Sequence, residues 1–153
     1  MSTSSPGAAE RWLDADEERA WRALRRMMVS VQARTARDLA ELGLSEADYE
    51  VLSTLSEVPD RTSTLHAQAA KMAWSRSRLS RHASRMEARG LIERRPDPAD
   101  GRGCLLVLTP HGFQVLADAA PAHVASVRRH VIDRLTAEDL AALERIADKV
   151  HAD

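Results

Sequence analysis

The order of secondary-structure patterns in residues 63–110 is the feature that most restricts how this chain can fold. Capping and apolar residues predict two short helices, over residues 65–72 and 75–89. Two strand-like runs follow at residues 91–96 and 104–110, separated by the turn-rich segment DPADGRG. Two short helices followed at once by a hairpin are typical of a winged helix-turn-helix, in which the second helix enters a DNA groove and the hairpin is the wing.

Longer amphipathic helices are predicted on both sides of this segment. Apolar residues recur at spacings of three and four over residues 14–42, and a further helix opens with a capping box at Ser45. A similar pattern covers residues 111–131, where Pro121 should kink or split the helix, and a last helix opens at Thr136. The predicted fold class is mainly α with a small β-hairpin wing: a winged helix-turn-helix with long N- and C-terminal dimerisation helices.

A length of 153 residues and a hydrophobic content of 44% suit one globular domain. We expect residues 1–10 to be a disordered tail and residues 11–153 to form a single domain. Within it, residues 44–110 are the predicted winged helix-turn-helix, and residues 14–42 and 111–152 are the predicted helical dimerisation region. The apolar stripes on these helices are too long for a small winged domain to bury alone, so a homodimer is expected.

Positive charge is concentrated in one part of the chain, although the whole chain has a formal net charge of −1. Residues 71–103 contain nine lysines and arginines against four acidic residues, and residues 74–90 contain five arginines and one glutamate. A locally basic segment in an acidic molecule predicts an anion-binding surface, and the adjoining hairpin favours double-stranded DNA as the anion. A solvated charged face is the plainer alternative.

The two faces of the predicted second helix differ in character. Leu79, Ala83 and Met86 lie on one stripe and should pack against the preceding helices. The opposite face carries arginines and short hydroxyl side chains, with Arg78 and Arg85 at its flanks. Arginine can pair with guanine and serine can donate to phosphate, so this face suits the major groove.

The predicted wing adds a second basic group. Asp100 and Arg102 bracket a glycine at the loop tip. An arginine at such a tip can enter the narrow minor groove, and a charge-assisted hydrogen bond from its guanidinium to Asp100 would hold it in place. An ordinary turn composed of turn-forming residues is the alternative.

The sequence resembles the MarR family of winged helix-turn-helix regulators over nearly all of residues 14–150. The resemblance is carried by LSEADYEVLSTLSE (44–57), WSRSRLSRHASRMEARGLIERR (74–95) and DPADGRGCLLVLTPHG (97–112). It implies a homodimer held by the first and last two helices, and a repressor that small ligands release. His82 stands where the family often has an apolar residue. With the charge pattern, the resemblance gives a predicted DNA-contact set: Ser75, Arg76, Ser77, Arg78, Ser80, Arg81, His82, Arg85, Arg95, Asp100 and Arg102.

A small-molecule site is also predicted, where the long first helix meets the winged domain. Apolar surface and a few polar groups would line it, and an anionic aromatic or carboxylate ligand would suit its arginine or histidine. Packing in the core or in an interface is the alternative role for each side chain. The predicted lining residues are Trp21, Arg25, Met28, His66 and Trp74.

Other functional classes have no clear signal in the sequence. Cys104 is the only cysteine, and its expected half-buried position in the second wing strand argues against redox sensing. His123 and His130 are seven residues apart without further ligands, so no metal and no cofactor is expected. No phosphate loop or nucleophile motif predicts an enzyme. Neither a signal peptide nor a membrane-spanning run is predicted, and the expected location is the cytoplasm.

The predicted function is that of a sequence-specific transcription regulator that binds double-stranded DNA, acting as a ligand-responsive repressor. A homodimer would present two reading helices about one DNA turn apart, roughly 34 Å, to a pseudo-palindromic operator. A winged-helix protein-interaction module and a sequence-nonspecific architectural DNA binder are the alternatives. The first would not need the serine–arginine face, and the second would bind every sequence equally.

Overall fold

The computed structural model describes residues 10–152 and contains, within that range, six α-helices and a three-stranded sheet. The predicted fold class, mainly α with a small β wing, is confirmed. The tail predicted over residues 1–10 lies outside the described residues apart from Glu10. The elements are α1 (Ala15–Glu41), α2 (Glu46–Glu57), β1 (Thr62–Thr64), α3 (Leu65–Met72), α4 (Arg76–Ala88), β2 (Ile92–Asp97), β3 (Asp100–Leu108), α5 (Pro110–His130) and α6 (Ala137–His151).

Capping residues begin and end the helices where the sequence predicts. Ser45 and Thr136 each form a capping box, at the starts of α2 and α6, and Ser75 caps α4. Gly43 and Gly90 follow the last turns of α1 and α4 with φ angles of +76° and +74°, a conformation that favours glycine. Each cap and each glycine lies within a few residues of the helix end that it determines, so the sequence pattern is enough to predict these helix ends.

The wing hairpin is longer than predicted and is joined by a third strand. β3 begins at Asp100 instead of Cys104, so only Pro98 and Ala99 separate it from β2. β1 was not predicted; it pairs antiparallel with β3 and gives the strand order β1–β3–β2. Three residues are too few to show a strand pattern, and their partner strand is distant in sequence. This pairing fixes the base of the wing to the helix-turn-helix.

α5 is continuous through Pro121. Of the two effects predicted for this residue, a kink or a split of the helix, the split is therefore wrong. Pro121 is exposed, whereas Ala119 and Ser126 on neighbouring turns are buried where α5 packs on α1 and α2. The hydroxyl of Ser126 donates to the carboxylate of Asp38 in α1 at 2.5 Å. This packing keeps the helix intact although proline lacks the N–H that would continue the hydrogen-bond ladder.

Most of the apolar core lies in the winged part of the molecule, and Leu39 of α1 and Leu116 and Ala119 of α5 join it. Leu55 from α2, Leu79 and Met86 from α4 and Leu106 from β3 are each fully buried. In contrast, α6 has no buried residue, and none is buried over residues 15–34 of α1. These two helical segments therefore carry apolar side chains that the described chain covers only in part. None of the described helices is both long and apolar enough to cross a membrane.

Candidate nucleic-acid interface

α4 presents its arginines and serines to solvent. Leu79, Ala83 and Met86 are buried beneath it, as predicted. Ser75 caps the first turn by accepting from the backbone N–H of Arg78 at 3.2 Å, and the other N–H groups of a helix start are suited to a phosphate. The exposed members of the predicted contact set on this helix are Ser75, Arg76, Ser77, Arg78, Arg81 and Arg85, and Ser80 is half-buried.

Two arginines of this face rest against ring side chains. The guanidinium of Arg78 lies over the ring of Trp74, 3.6 Å from its centroid. A terminal guanidinium nitrogen of Arg85 lies 3.3 Å from Nδ1 of His82. Such contacts reduce the freedom of a long side chain before it meets a ligand.

His82 is buried, which corrects its prediction as a DNA contact. Its exposed fraction is 7%, and its Nε2 lies 3.0 Å from the carboxylate of Asp48 in α2, at an angle too oblique for an ideal hydrogen bond. Position 82 is three residues after Leu79 and four before Met86, so helix geometry places it beside the buried stripe. The burial of His82 could therefore have been predicted from this spacing in the sequence.

A buried carboxylate docks α4 onto α2. Asp48 accepts from Arg89 at 2.7 Å, and the second terminal nitrogen of Arg89 donates to the carbonyl of Gly43 at 2.7 Å. Burial alone would raise the pKa of Asp48, but its close polar contacts, first with His82 and Arg89, hold that pKa well below its ordinary value. The sequence showed Asp48 only as part of a capping box, so its second role was missed.

The one acidic residue of α4 contacts the wing. Oε2 of Glu87 accepts from the backbone N–H of Arg94 at 2.7 Å, and Oε1 lies 3.4 Å from Nε of the same arginine. This contact orients β2 against α4. It also directs the only negative charge of the helix away from the exposed arginines.

The wing exposes Arg102, but its guanidinium is not held by Asp100. Instead, Oδ1 of Asp100 accepts from the backbone N–H of Arg102 at 3.0 Å, which corrects the predicted side-chain pair. A carboxylate bonded to the backbone two residues on shapes a turn, and it leaves the arginine side chain exposed. Arg95 on β2 is also exposed and pairs with Glu93 at 2.8 Å.

The residues predicted to line a small-molecule site do not come together. Trp21 shares a cavity with Leu143 between α1 and α6, whereas Trp74 lies next to the start of α4. α1 has its first buried residue at Thr35, and Trp21 lies on one of its earlier, exposed turns. The other three predicted residues are exposed, with Arg25 and Met28 on α1 and His66 on α3.

His123, His130 and Cys104 are each partly buried within the fold. His123 packs against the ring of Tyr49 at a centroid distance of 4.1 Å, and burial lowers its pKa. Nε2 of His130 lies 3.0 Å from the Asp38 carboxylate, between α5 and α1. Cys104 is half-buried in β3. Residues 10–152 contain no group of three or more potential metal ligands.

The fold and the basic outward face of α4 define a winged helix-turn-helix protein. The sequence pattern of the MarR family matches residues 42–103. The chain is 30% identical over 132 residues to the transcriptional regulator HosA of Escherichia coli, an alignment that covers 86% of this chain and 94% of HosA.

Two solved structures from Streptomyces coelicolor are similar over nearly the whole chain. AbsC, a MarR family transcriptional regulator, has 38% sequence identity and a TM-score of 0.86, with coverage of 94% of this chain and 100% of AbsC. Sco3205, a MarR family regulator solved in complex with DNA, has 35% identity and a TM-score of 0.88, with coverage of 92% and 89%. This chain belongs to the MarR family. It is accordingly a DNA-binding transcription regulator, a class of proteins that are not enzymes.

Proposed function

We propose that this protein binds double-stranded DNA sequence-specifically as a homodimer and represses transcription by occupying a pseudo-palindromic operator. The observation that carries the proposal is the outward face of α4, where arginines and serines are exposed while the one acidic residue, Glu87, contacts the wing. Such a face offers bidentate donors to guanine and hydroxyl groups to phosphate. The DNA complex of the relative Sco3205 supports this use of the fold.

In the proposed complex, α4 lies in the major groove and the wing lies along the adjoining minor groove. Ser75 and the first-turn N–H groups bind a phosphate, Arg78 and Arg85 contact bases, and Arg102 enters the minor groove. Asp100 shapes the wing tip without contacting DNA. The proposed contact residues are Ser75, Arg76, Ser77, Arg78, Ser80, Arg81, Arg85, Arg95 and Arg102.

Uncovered apolar surface where α1 and α6 meet supports the homodimer. Trp21, Leu24 and Met27 of α1 and Ile146 of α6 are between 41% and 53% exposed. With Leu143 they line a cavity of about 580 Å³ whose walls are almost wholly apolar. A second copy related by a two-fold axis would cover this surface with the same residues.

Repression and control by a small ligand are further parts of the proposal. Repression needs only occupancy of a promoter, whereas activation needs an additional contact with the polymerase. A cleft of about 380 Å³ between α1, α2 and α5 is lined by Gln32, Tyr49, Thr54 and His123, among others. A ligand in this cleft would favour dimers whose reading helices are wrongly spaced for the operator.

Selection of bound sites from a random pool of DNA duplexes tests the proposal. We expect the wild-type protein to recover an inverted repeat with half-site centres about one helical turn apart. Arg78→Ala should lose that preference, whereas Arg22→Ala, which removes an exposed arginine paired with Glu18 at the far end of α1, should keep it. Tight binding without a common sequence would favour an architectural protein. Absence of binding would contradict the proposal and favour a protein partner.

A further inference from the structure

His82 connects the exposed face of α4 with the interior. Its Nε2 lies 3.0 Å from Asp48, and its Nδ1 lies 3.3 Å from the guanidinium of Arg85. Its ring meets the ring of Trp74 edge to face, at a centroid distance of 5.7 Å and an interplanar angle of 78°. Trp74 in turn carries the guanidinium of Arg78 at 3.6 Å. We refer to Trp74, Arg78, His82 and Arg85 as the His82 cluster.

The contact with Arg85 determines which nitrogen of His82 carries the proton. A guanidinium donates hydrogen bonds but does not accept them, so Nδ1 must be the acceptor. The ring proton then lies on Nε2, which faces the carboxylate of Asp48. Despite its burial, that carboxylate keeps a pKa below the ordinary value and remains ionised, so it favours this tautomer.

We propose that His82 is a positioning residue for base readout, which orients Arg85 through its Nδ1. The inference rests on the proposed function, because it assigns a part in DNA reading to a residue that is buried away from the DNA. Arg78 and Arg85 are two helical turns apart and therefore lie on the same face of α4. Within the His82 cluster, Nδ1 of His82 holds Arg85 and the ring of Trp74 holds Arg78, so both guanidinium groups are oriented toward the same groove.

Positioning matters because an arginine loses rotational freedom when it pairs with a base. A side chain that is already held in one orientation loses less of that freedom. General attraction to phosphate depends on charge, which the cluster does not change. His82 should therefore affect the preference for the operator over other sequences, while the salt dependence of binding stays the same.

Two substitutions separate the contributions of the two ring nitrogens. Asparagine places its amide oxygen near the position of Nδ1, and glutamine places its amide nitrogen near that of Nε2. We expect H82Q to lower the preference for the selected site over a scrambled duplex about tenfold, and H82N to retain most of it. Fluorescence anisotropy titrations of both duplexes measure the preference, and thermal unfolding reports the stability of each variant.

A matched control and a double-mutant cycle test whether the effect of His82 on sequence preference passes through Arg85. H130F removes a comparable histidine–carboxylate contact, with Asp38, and should leave the preference unchanged. The loss caused by H82Q should largely disappear in an R85A background, because His82 acts through that arginine. The ¹⁵N chemical shifts of His82 in the DNA-free protein should show an unprotonated Nδ1.

The outcomes distinguish this inference from the proposed function. Full preference in H82Q, a loss that adds fully to that of R85A, or a protonated Nδ1 would overturn the positioning role and leave the DNA-reading function in place. A wild-type protein that binds the selected and scrambled duplexes equally would overturn the proposed function, and the positioning role with it.

Discussion

The arginines near α4 differ in what their guanidinium groups contact. Arg89 and Arg94 contact the carboxylates of Asp48 and Glu87 and hold α4 against α2 and the wing. Arg81, in contrast, is exposed on the outward face. The same basic segment therefore contains arginines that join helices and strands and arginines that are exposed on the outward face of α4, and only tertiary contacts distinguish the two groups.

Arg102→Ala should weaken binding to the selected site about tenfold and lower the salt slope of the affinity by about one, because the charge proposed to enter the minor groove is lost. Anisotropy titrations at several salt concentrations measure both quantities. Arg22→Ala, which changes charge at the far end of α1, is the control. An unchanged affinity and slope for Arg102→Ala would exclude the wing from the DNA contact.

Asp48→Asn should lower the free energy of unfolding at pH 7 by about 2 kcal/mol, because a buried carboxylate that accepts from Arg89 is lost. Folding lowers the pKa of Asp48, so its contribution is complete above the ordinary pKa of 3.8 and is lost as pH falls toward the lower pKa of the folded state. The difference between wild type and variant should therefore be constant from pH 7 to pH 5 and shrink below about pH 4.

Urea unfolding at several pH values measures this difference. Asp118→Asn, a change of the same kind at an exposed position of α5, should have little effect throughout. A difference for Asp48→Asn that stays constant down to pH 3 would show that the shape of the side chain matters and its charge does not.

Helix ends could be predicted to within about a residue because caps and C-terminal glycines act within a few positions of the chain. β1 could not, since its pairing with β3 is non-local. The same division applies to the site. The two faces of α4 follow from helical spacing, but the contacts of Glu87 with the wing and of Asp48 with Arg89 join distant segments.

The junction between α5 and the wing depends on Gly112, the third residue of α5. A Cβ atom at this position would collide with the carbonyl oxygen of Leu91 and lie 2.9 Å from Cδ1 of Leu108. Gly112→Ala should therefore destabilise the fold by about 3 kcal/mol. Gly101→Ala, at a site with no atom within 4 Å of an added Cβ, is the matched control for stability. Equal unfolding temperatures for the two variants would contradict this packing.

The winged part of the molecule contains a buried core, whereas the end formed by α6 and the first turns of α1 is largely exposed. Its core comprises side chains of α2, α3, α4 and the sheet together with the last turns of α1 and the first half of α5, while α6 and residues 15–34 of α1 contain no fully buried residue. Two copies joined through these helices would complete the hydrophobic burial and set the spacing of the two reading helices. Dimerisation and sequence recognition are therefore coupled in the proposed complex.

Leu24→Glu should convert the dimer to a monomer at micromolar concentration, because it places a charge in the proposed apolar interface. Leu42→Glu is the matched control, since Leu42 is equally exposed (43% against 41%) but lies at the other end of α1. Analytical ultracentrifugation distinguishes the two states. A dimer that survives Leu24→Glu and dissociates with Leu42→Glu would place the interface elsewhere.

Titration of the wild-type protein onto the recovered inverted repeat and onto a scrambled duplex of the same composition tests whether a dimer of this chain reads DNA sequence. We expect two protomers per duplex, a preference of about a thousandfold for the repeat, and affinity for both duplexes that falls steeply with salt. Equal affinity for the two duplexes at every salt concentration would contradict that expectation.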